Sequence, residues 1–302
     1  MKNKALTLTI ISNITSNYGE GLGNVSTVQK VFRNGKVYAT RSRESLKNAI
    51  MVQSGLYDDL KVTVDGAAQK LVNDDVNISN CKALEGGYMN TSGTTNIRKS
   101  SFYLTDAVSC DEFVNETRFH NNLYLATAYA KENKINFQAK KDRENEDKKE
   151  NSSGLMPYQY EFDKSLKKYS ITIDLDKIGV DENFPSQADT VEKIQRVLSI
   201  LKTIQNLSLI VKGNMDNAEP LLIFGGIGEY KTHYFDNVVN VKRDTLNIEN
   251  GLKDRVKNGY RVGLLRGGNF INEEDIVNEF SPLSISEFFK DLEEDVKSYY
   301  EE

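Results

Sequence analysis

Cysteine and histidine are scarce: the chain has two of each, Cys81 and Cys110, His120 and His233. Two thiols cannot form a disulfide framework, and with two histidines they cannot build a Cys-rich zinc site. Long apolar runs are missing too. The opening stretch 5–14 is broken by Thr7, Thr9, Ser12 and Asn13, short of the ~18 consecutive apolar residues a membrane helix needs. The chain therefore reads as lacking a signal peptide and an anchor, with a reducing cytoplasm as its expected setting. Tryptophan is absent. What is present, 38% apolar and 27% charged residues in a chain of 302, is the composition of a globular protein, and a chain this long buries roughly 75% of its unfolded surface.

The net charge of -5 argues against a uniformly basic nucleic-acid binder, but the sum conceals an asymmetry. Residues 272–302 carry 11 acids and 2 lysines. Residues 24–50 carry Lys30, Arg33, Lys36, Arg41, Arg43 and Lys47 against Glu44 alone, a net of +5. A local basic surface attracts a polyanion even on an acidic protein, because salt confines each charge to roughly 8 Å. The plainer reading is a solvated charged face.

The usual catalytic constellations are missing. No G-x-S-x-G elbow, H-E-x-x-H pair, Walker A loop or EF-hand loop can be read. Gly19, Gly21 and Gly23 are misspaced for a dinucleotide fingerprint, and no helix opens after them, so a flexible loop is the simpler account. Neither histidine has a sequence neighbour that makes it a general base. Glu293, Glu294 and Asp295 fall on the polar side of a helix, where solvation explains them. No cofactor and no metal are expected.

Period-two alternation of Leu6, Leu8 and Ile10 with Thr7 and Thr9 predicts a first strand over 4–14 with one buried face. A helix is expected from Ser42, with Leu46, Ala49 and Ile50 as its buried stripe. Residues 55–113 read as an irregular insertion. Within 131–153 the chain is almost wholly polar, and 140–150 holds five basic and five acidic residues with no apolar side chain. Such a segment cannot offset an ordering entropy of ~1–2 kcal/mol per residue, so a mobile arm is expected there. A second strand follows over 169–175, then a helix over 189–206 with Val191, Ile194, Val197, Leu198, Leu201 and Ile204 on one face. Short strands are expected at 207–211 and 221–224. A last helix follows Ser284, which with Glu287 has capping-box spacing. Strand, helix, insertion, strand, helix, strand is close to a split β-α-β arrangement in an α+β fold, for which a ferredoxin-like sheet is the economical choice.

Arg41-Ser42-Arg43-Glu44-Ser45-Leu46-Lys47 sets two arginines and two small hydroxyls at a helix start, where unpaired N–H groups and the helix dipole favour an anion. With the strand 6–14 before it, this segment resembles the serine-rich helix start of the backbone subunit of CRISPR Cascade complexes, in the RAMP superfamily, and most closely the DevR-type subunit of type I-B systems. Leu84-Glu85-Gly86-Gly87-Tyr88-Met89 is similar to that family's Gly-Tyr-Met segment. Ile97-Arg98-Lys99-Ser100-Ser101-Phe102 and 105–109 are similar to its Arg-x-Ser approach to a strand. Residues 169–179 resemble the returning strand, and Lys212-Gly213-Asn214 with 220–226 the closing segment.

The resemblance implies a modified ferredoxin-like (RRM-like) palm, here 1–54 and 169–271, with a finger-like insertion over 55–111, a thumb-like arm over 118–168 and an acidic C-terminal helical segment over 272–302. It implies copies assembling head to tail on a CRISPR RNA, with target DNA bound through the guide and with other Cascade subunits as partners, and no membrane. Carried over onto this sequence, Ser42, Ser45 and Lys47 hold phosphates, helped by Arg41 and Arg43. Asn24, Lys30, Arg33, Lys36, Arg98, Lys99, Lys212 and Asn214 are further RNA-facing candidates. Contacts to sugar and phosphate are independent of guide sequence. Two rivals remain. Type III relatives cut RNA with an aspartate in the loop after the first strand, whereas 15–40 here has Glu20 and no aspartate, so no cleavage is expected. The other rival is a cytoplasmic protein binding a small phosphorylated ligand at 19–24.

Overall fold

The computed structural model describes residues 4–19, 25–58, 64–65, 69–70, 72–91, 95–120, 123–134 and 158–301. Asn24 and most of the expected mobile arm lie outside these residues.

The first strand, β1 (Ala5–Thr15), pairs along its whole length with β6 (Lys164–Asp174) and along Ala5–Ile11 with β7 (Leu222–Gly228), antiparallel to both. Around them the main sheet adds β2 (Lys30–Arg33), β3 (Lys36–Arg41), β4 (Phe102–Leu104), β5 (Ala107–Ser109) and β8 (Arg261–Leu264). The strand order is β8-β7-β1-β6-β5-β3-β2, with β4 also pairing to β6. Residues 102–104 and 107–109, read from sequence as insertion, and 164–168, read as arm, are thus main-sheet strands. β4 and β5 are three residues each, too short to show a period.

β1 was expected to bury one face and buries both. Leu6, Leu8, Ile10 and Ile14 join Tyr169, Ile171 and Ile173 in an apolar layer, closed by α1 (Arg43–Gln53), α3 (Thr190–Gln205) and α6 (Ile285–Glu301). On the opposite face Thr9 and Ser170 hydroxyls meet at 2.7 Å, Ser170 Oγ donates to Asp236 Oδ1 at 3.0 Å, and Thr172 Oγ1 donates to the Thr232 carbonyl at 3.0 Å. Beside these hydroxyls Ile11, Leu222 and Phe224 pack against Phe235, Leu252 and Ile276, the last two from α4 (Asn250–Lys257) and α5 (Glu273–Phe280).

The helices start where local chemistry dictates. Ser42 caps α1, which buries Leu46, Ile50 and Met51, with Ala49 half-buried. Asp189 caps α3 by accepting the Glu192 amide at 2.8 Å. Ile194, Val197, Leu201 and Ile204 are buried, Leu198 is half-buried, and Val191, expected in the stripe, is exposed in the first turn. At α6 the capping box is reciprocal: Glu287 N–H donates to Ser284 Oγ at 3.2 Å and Ser284 N–H to Glu287 Oε2 at 3.0 Å. Phe288, Phe289, Leu292, Val296 and Tyr299 are buried against the chain's own sheet and α3.

From the end of β1 an arm rises, built from Glu116–His120 antiparallel to Tyr158–Phe162, which pairs parallel to Val25–Ser26. After Glu116–His120 the chain forms α2 (Leu123–Glu132), with Tyr124, Leu125 and Tyr129 exposed. No helix among the described residues is long and apolar enough to cross a membrane.

Candidate nucleic-acid interface

The start of α1 is more fully occupied than its sequence implies. Ser42 Oγ accepts the Ser45 amide at 3.2 Å, and Asn17 Oδ1 accepts the Ser42 amide at 2.9 Å. Asp106 Oδ1 accepts the Arg43 amide at 2.9 Å. The anion at this helix N-terminus is therefore the chain's own Asp106 carboxylate, which corrects the expectation of open amides. Arg43 pairs with Glu44 at 3.1 Å on the surface. The Glu44 carboxyl lies below its usual range, chiefly through its own backbone N–H and further through Arg43. Hydroxyls and guanidinium are what this segment presents.

Arg41, at the end of β3, is 6% exposed. Its Nη1 donates to the Thr15 carbonyl at 3.2 Å, while its buried Nε has no hydrogen-bond partner among the described residues. Close by, the fully buried Lys167 ammonium donates to the Ile14 carbonyl at 2.8 Å and to Ser165 Oγ at 2.9 Å, and pairs with Asp163. Burial lowers both cations from their ordinary values, against the pull of Asp216 on Arg41 and of Asp163 on Lys167. Asp216 is hydrogen-bonded by the Thr15 hydroxyl and by Lys164 at 3.0 Å. Burial pushes its carboxyl up, but these donors outweigh it and the net shift is down. Lys167 was missed from sequence, although it lies in register with Tyr169, Ile171 and Ile173 on the inward face, which is the signal that finds it.

The third part is a hairpin, Ser208–Val211 paired with Asn214–Asn217. Lys212 and Gly213 turn it with φ of 48° and 80°, the double positive φ of a tight two-residue hairpin turn. The turn sends Lys212 toward the arm. Its Nζ lies 4.4 Å from the Tyr18 ring centroid and 5.3 Å from that of Tyr160, and donates to Ser26 Oγ at 3.3 Å. Asn214 Nδ2 donates to the Lys212 carbonyl at 3.4 Å. Tyr18 and Tyr160 meet edge to face at 6.0 Å. Through Asn17, which holds Ser42, this ring cluster is continuous with the start of α1. Tyr18, Ser26 and Tyr160 were not singled out in the sequence, because they come from three separate segments.

The sequence profile of the CRISPR-associated negative auto-regulator DevR/Csa2 family matches residues 6–244. The chain belongs to this family. In fold it is similar to a chain described as "CRISPR RNA-guided surveillance complex, pre-nicking", with a TM-score of 0.57, 9% identity, and cover of 95% of this chain and 100% of that one. A second chain, from a "CRISPR RNA-guided surveillance complex", has a TM-score of 0.49 at 11% identity, covering 88% of this chain and 90% of that one. At 9% identity the first likeness is one of fold alone. No curated protein matches the sequence.

The remaining basic residues of this DevR/Csa2-family chain lie apart from the cluster. Lys30 pairs with Glu161 and sits 4.8 Å from the Phe113 ring, Lys36 pairs with Glu112, and Arg33 is exposed at the hairpin tip. Carboxylates thus offset much of the charge that the sequence concentrates in 24–50. Lys47 Nζ donates to Ser100 Oγ at 2.7 Å and to the Gly86 carbonyl at 3.1 Å, tying α1 to the base of the insertion. Arg98 was expected at the surface and is buried. It donates to the carbonyls of Leu84 and Val180 at 2.8 and 2.9 Å, to that of Lys177 at 2.6 Å, and to Ser101 Oγ and Glu85. Its donors serve the scaffold, fastening the insertion and its small apolar cluster of Val72, Ile78, Cys81, Ala83, Leu84 and Tyr88 to the turn after β6. Lys99 beside it is exposed.

Proposed function

We propose that the chain is a non-catalytic, guide-RNA-binding backbone subunit of a type I-B Cascade-like complex, assembled head to tail in the cytoplasm with target DNA paired through the guide. Family membership supports this reading, as does the antiparallel order β7-β1-β6-β4 with α1 and α3 on one face, the arrangement of a modified ferredoxin-like palm. The observation that carries it is the junction at the end of β1. There Lys212 spans from palm to arm over Tyr18 and Tyr160, beside Arg41 with its unpartnered Nε. Cation and ring faces at one edge suit a single strand, whose phosphates need charge and whose bases need stacking. Ser42, Ser45, Arg43, Lys47, Lys30, Arg33, Lys36, Lys99 and Asn214 are secondary phosphate contacts in this proposal. An open head-to-tail interface propagates until the RNA or a capping subunit ends it.

The carboxylates nearest the end of β1, Asp163 and Asp216, are each engaged by a lysine and by a hydroxyl, which favours scaffolding over RNA cleavage.

Size-exclusion chromatography of the chain alone, with nuclease digestion of whatever co-elutes, tests the reading. RNase-sensitive, salt-labile, high-mass species are expected, and without tryptophan the protein adds little absorbance to mask them. Lys212→Ala and Arg41→Ala are each expected to lower the log–log salt slope of RNA binding by about 0.7, equally for all guide sequences. Unchanged slopes in both variants, or a chain that binds no guide RNA alone or with its partner subunits, would remove this function.

A further inference from the structure

At the end of the sheet remote from Arg41, strand β7 is nearly bare. Gly226 and Gly228 leave its outer face without side chains, and the Tyr260 ring occupies that space: a Cβ on Gly228 would meet Tyr260 Oη at 1.9 Å, and one on Gly226 would lie 3.3 Å from the ring. Tyr234 stacks on Tyr260 with centroids 4.9 Å apart and planes 24° from parallel. Tyr230 continues the series against Tyr234 at 5.7 Å and 1°. Phe235 holds Tyr260 and Tyr234 edge-on at 5.2 and 5.3 Å. Arg255 of α4 sets its guanidinium 4.8 Å from the Tyr234 ring, and Asn258 Nδ2 donates to Tyr234 Oη at 3.3 Å.

Exposure rises along the ladder, from 9% at Tyr260 through the half-buried Tyr234 to 61% at Tyr230. Core packing accounts for the two inner rings. It does not account for a third ring held parallel to them with its outer side in water. That geometry is suited to receiving another flat ring, and the Arg255 guanidinium, set against the Tyr234 ring behind it, adds a positive charge that favours an anion. Every nucleobase offers such a face, joined to a phosphate.

We propose that Tyr230, backed by Tyr234, Tyr260 and Arg255, is a stacking platform for a base of single-stranded nucleic acid. It is a separate contact from the Arg41–Lys212 junction. Ala5 pairs with Gly228 at the start of β1, and Thr15 lies at its other end, which at ~3.3 Å per residue puts the two about 33 Å apart. The platform does not depend on the guide-RNA reading, and it gives the chain a second hold on a single strand.

The absence of tryptophan provides the test. In a Tyr230→Trp variant the one indole reports stacking directly by quenching. The probes are oligothymidylate and oligouridylate of about 20 nucleotides, which separate DNA from RNA as the source of the base. Quenching is expected with at least one of them, and is expected to persist when Arg41→Ala and Lys212→Ala are added. Tyr230→Ala is expected to weaken that probe about fivefold or more, with its salt slope unchanged because no phosphate contact is lost. Tyr230→Phe restores affinity, and thermal unfolding of all three variants matches the parent because the side chain is exposed. An unquenched indole together with unaltered affinity in Tyr230→Ala overturns the proposal, even if the junction variants behave as the guide-RNA reading requires.

Discussion

Glu85 and Arg196 form an ion pair at 2.9 Å with neither side chain more than 2% exposed. The same carboxylate accepts Arg98 Nη2 at 3.1 Å, the Gly179 amide at 2.7 Å and the Ser101 hydroxyl. One acid therefore joins the insertion, the turn after β6 and helix α3. Removing it leaves the buried Arg98 guanidinium without its carboxylate and Arg196 with Glu192 alone, and breaking such a buried pair costs more than the pair itself contributes. Glu85→Ala is expected to lose ~3–5 kcal/mol in urea unfolding. A loss below about 1 kcal/mol would mean that the site relaxes to admit water.

Helix α3 offers a graded test of the core. Leu201 is fully buried among the apolar layer, whereas Leu198 is half-buried at its border. Leu201→Ala is expected to cost ~2–5 kcal/mol and Leu198→Ala clearly less. Equal losses would mean that α3 packs in a different rotation.

Cys110 lies in a cavity of about 310 Å³ between Arg33, Tyr38, Lys168 and Val239. Burial pushes its thiol up to about 12 from the usual 9.0, Asp111 adds to this, and Lys168 and Lys167 oppose it. With the folded value above the unfolded one, the group's contribution is complete below pH 9 and is lost as pH rises toward 12. The parent is therefore expected to lose stability relative to Cys110→Ala above that point, by at most about 1.4 kcal/mol per pH unit. Urea titrations of both proteins on either side of the thiol's ordinary value check this. Parallel pH profiles would show that the thiolate is solvated in the fold.

What could be read in the sequence was what neighbours along the chain decide. Ser42, the Ser284–Glu287 box and the apolar stripe of α3 are local patterns, and each helix begins within a residue or two of where they place it. β1 and the core of β6 follow from alternation. Burial of charge was not legible. Arg41 and Arg98 look in sequence like any surface arginine, and only strands arriving from more than a hundred residues away make Lys167 a buried neighbour of Ile14. Asp106 at the start of α1 is hidden for the same reason, since it is 63 positions from the amide it accepts. Of the C-terminal acids read as solvated, Asp295 is taken by Arg261 at 3.2 Å, while α6 turns its apolar side to the chain's own sheet. Truncating 281–302 would therefore unfold the core.

The bonds from Lys47 to Ser100 and Gly86, and from Arg43 to Asp106, bear on the insertion between α1 and β4. They draw the middle of the insertion at Gly86, its end at Ser100 and the turn after β4 at Asp106 to the helix from which the insertion departs, so its ends stay together whatever the length between them. Closing a flexible loop costs free energy that grows only with the logarithm of its length, about 0.6 kcal/mol for each doubling. Residues added to the insertion away from Glu85, Arg98 and the apolar cluster around Leu84 therefore carry little thermodynamic cost, and the pairing of the sheet below does not register them.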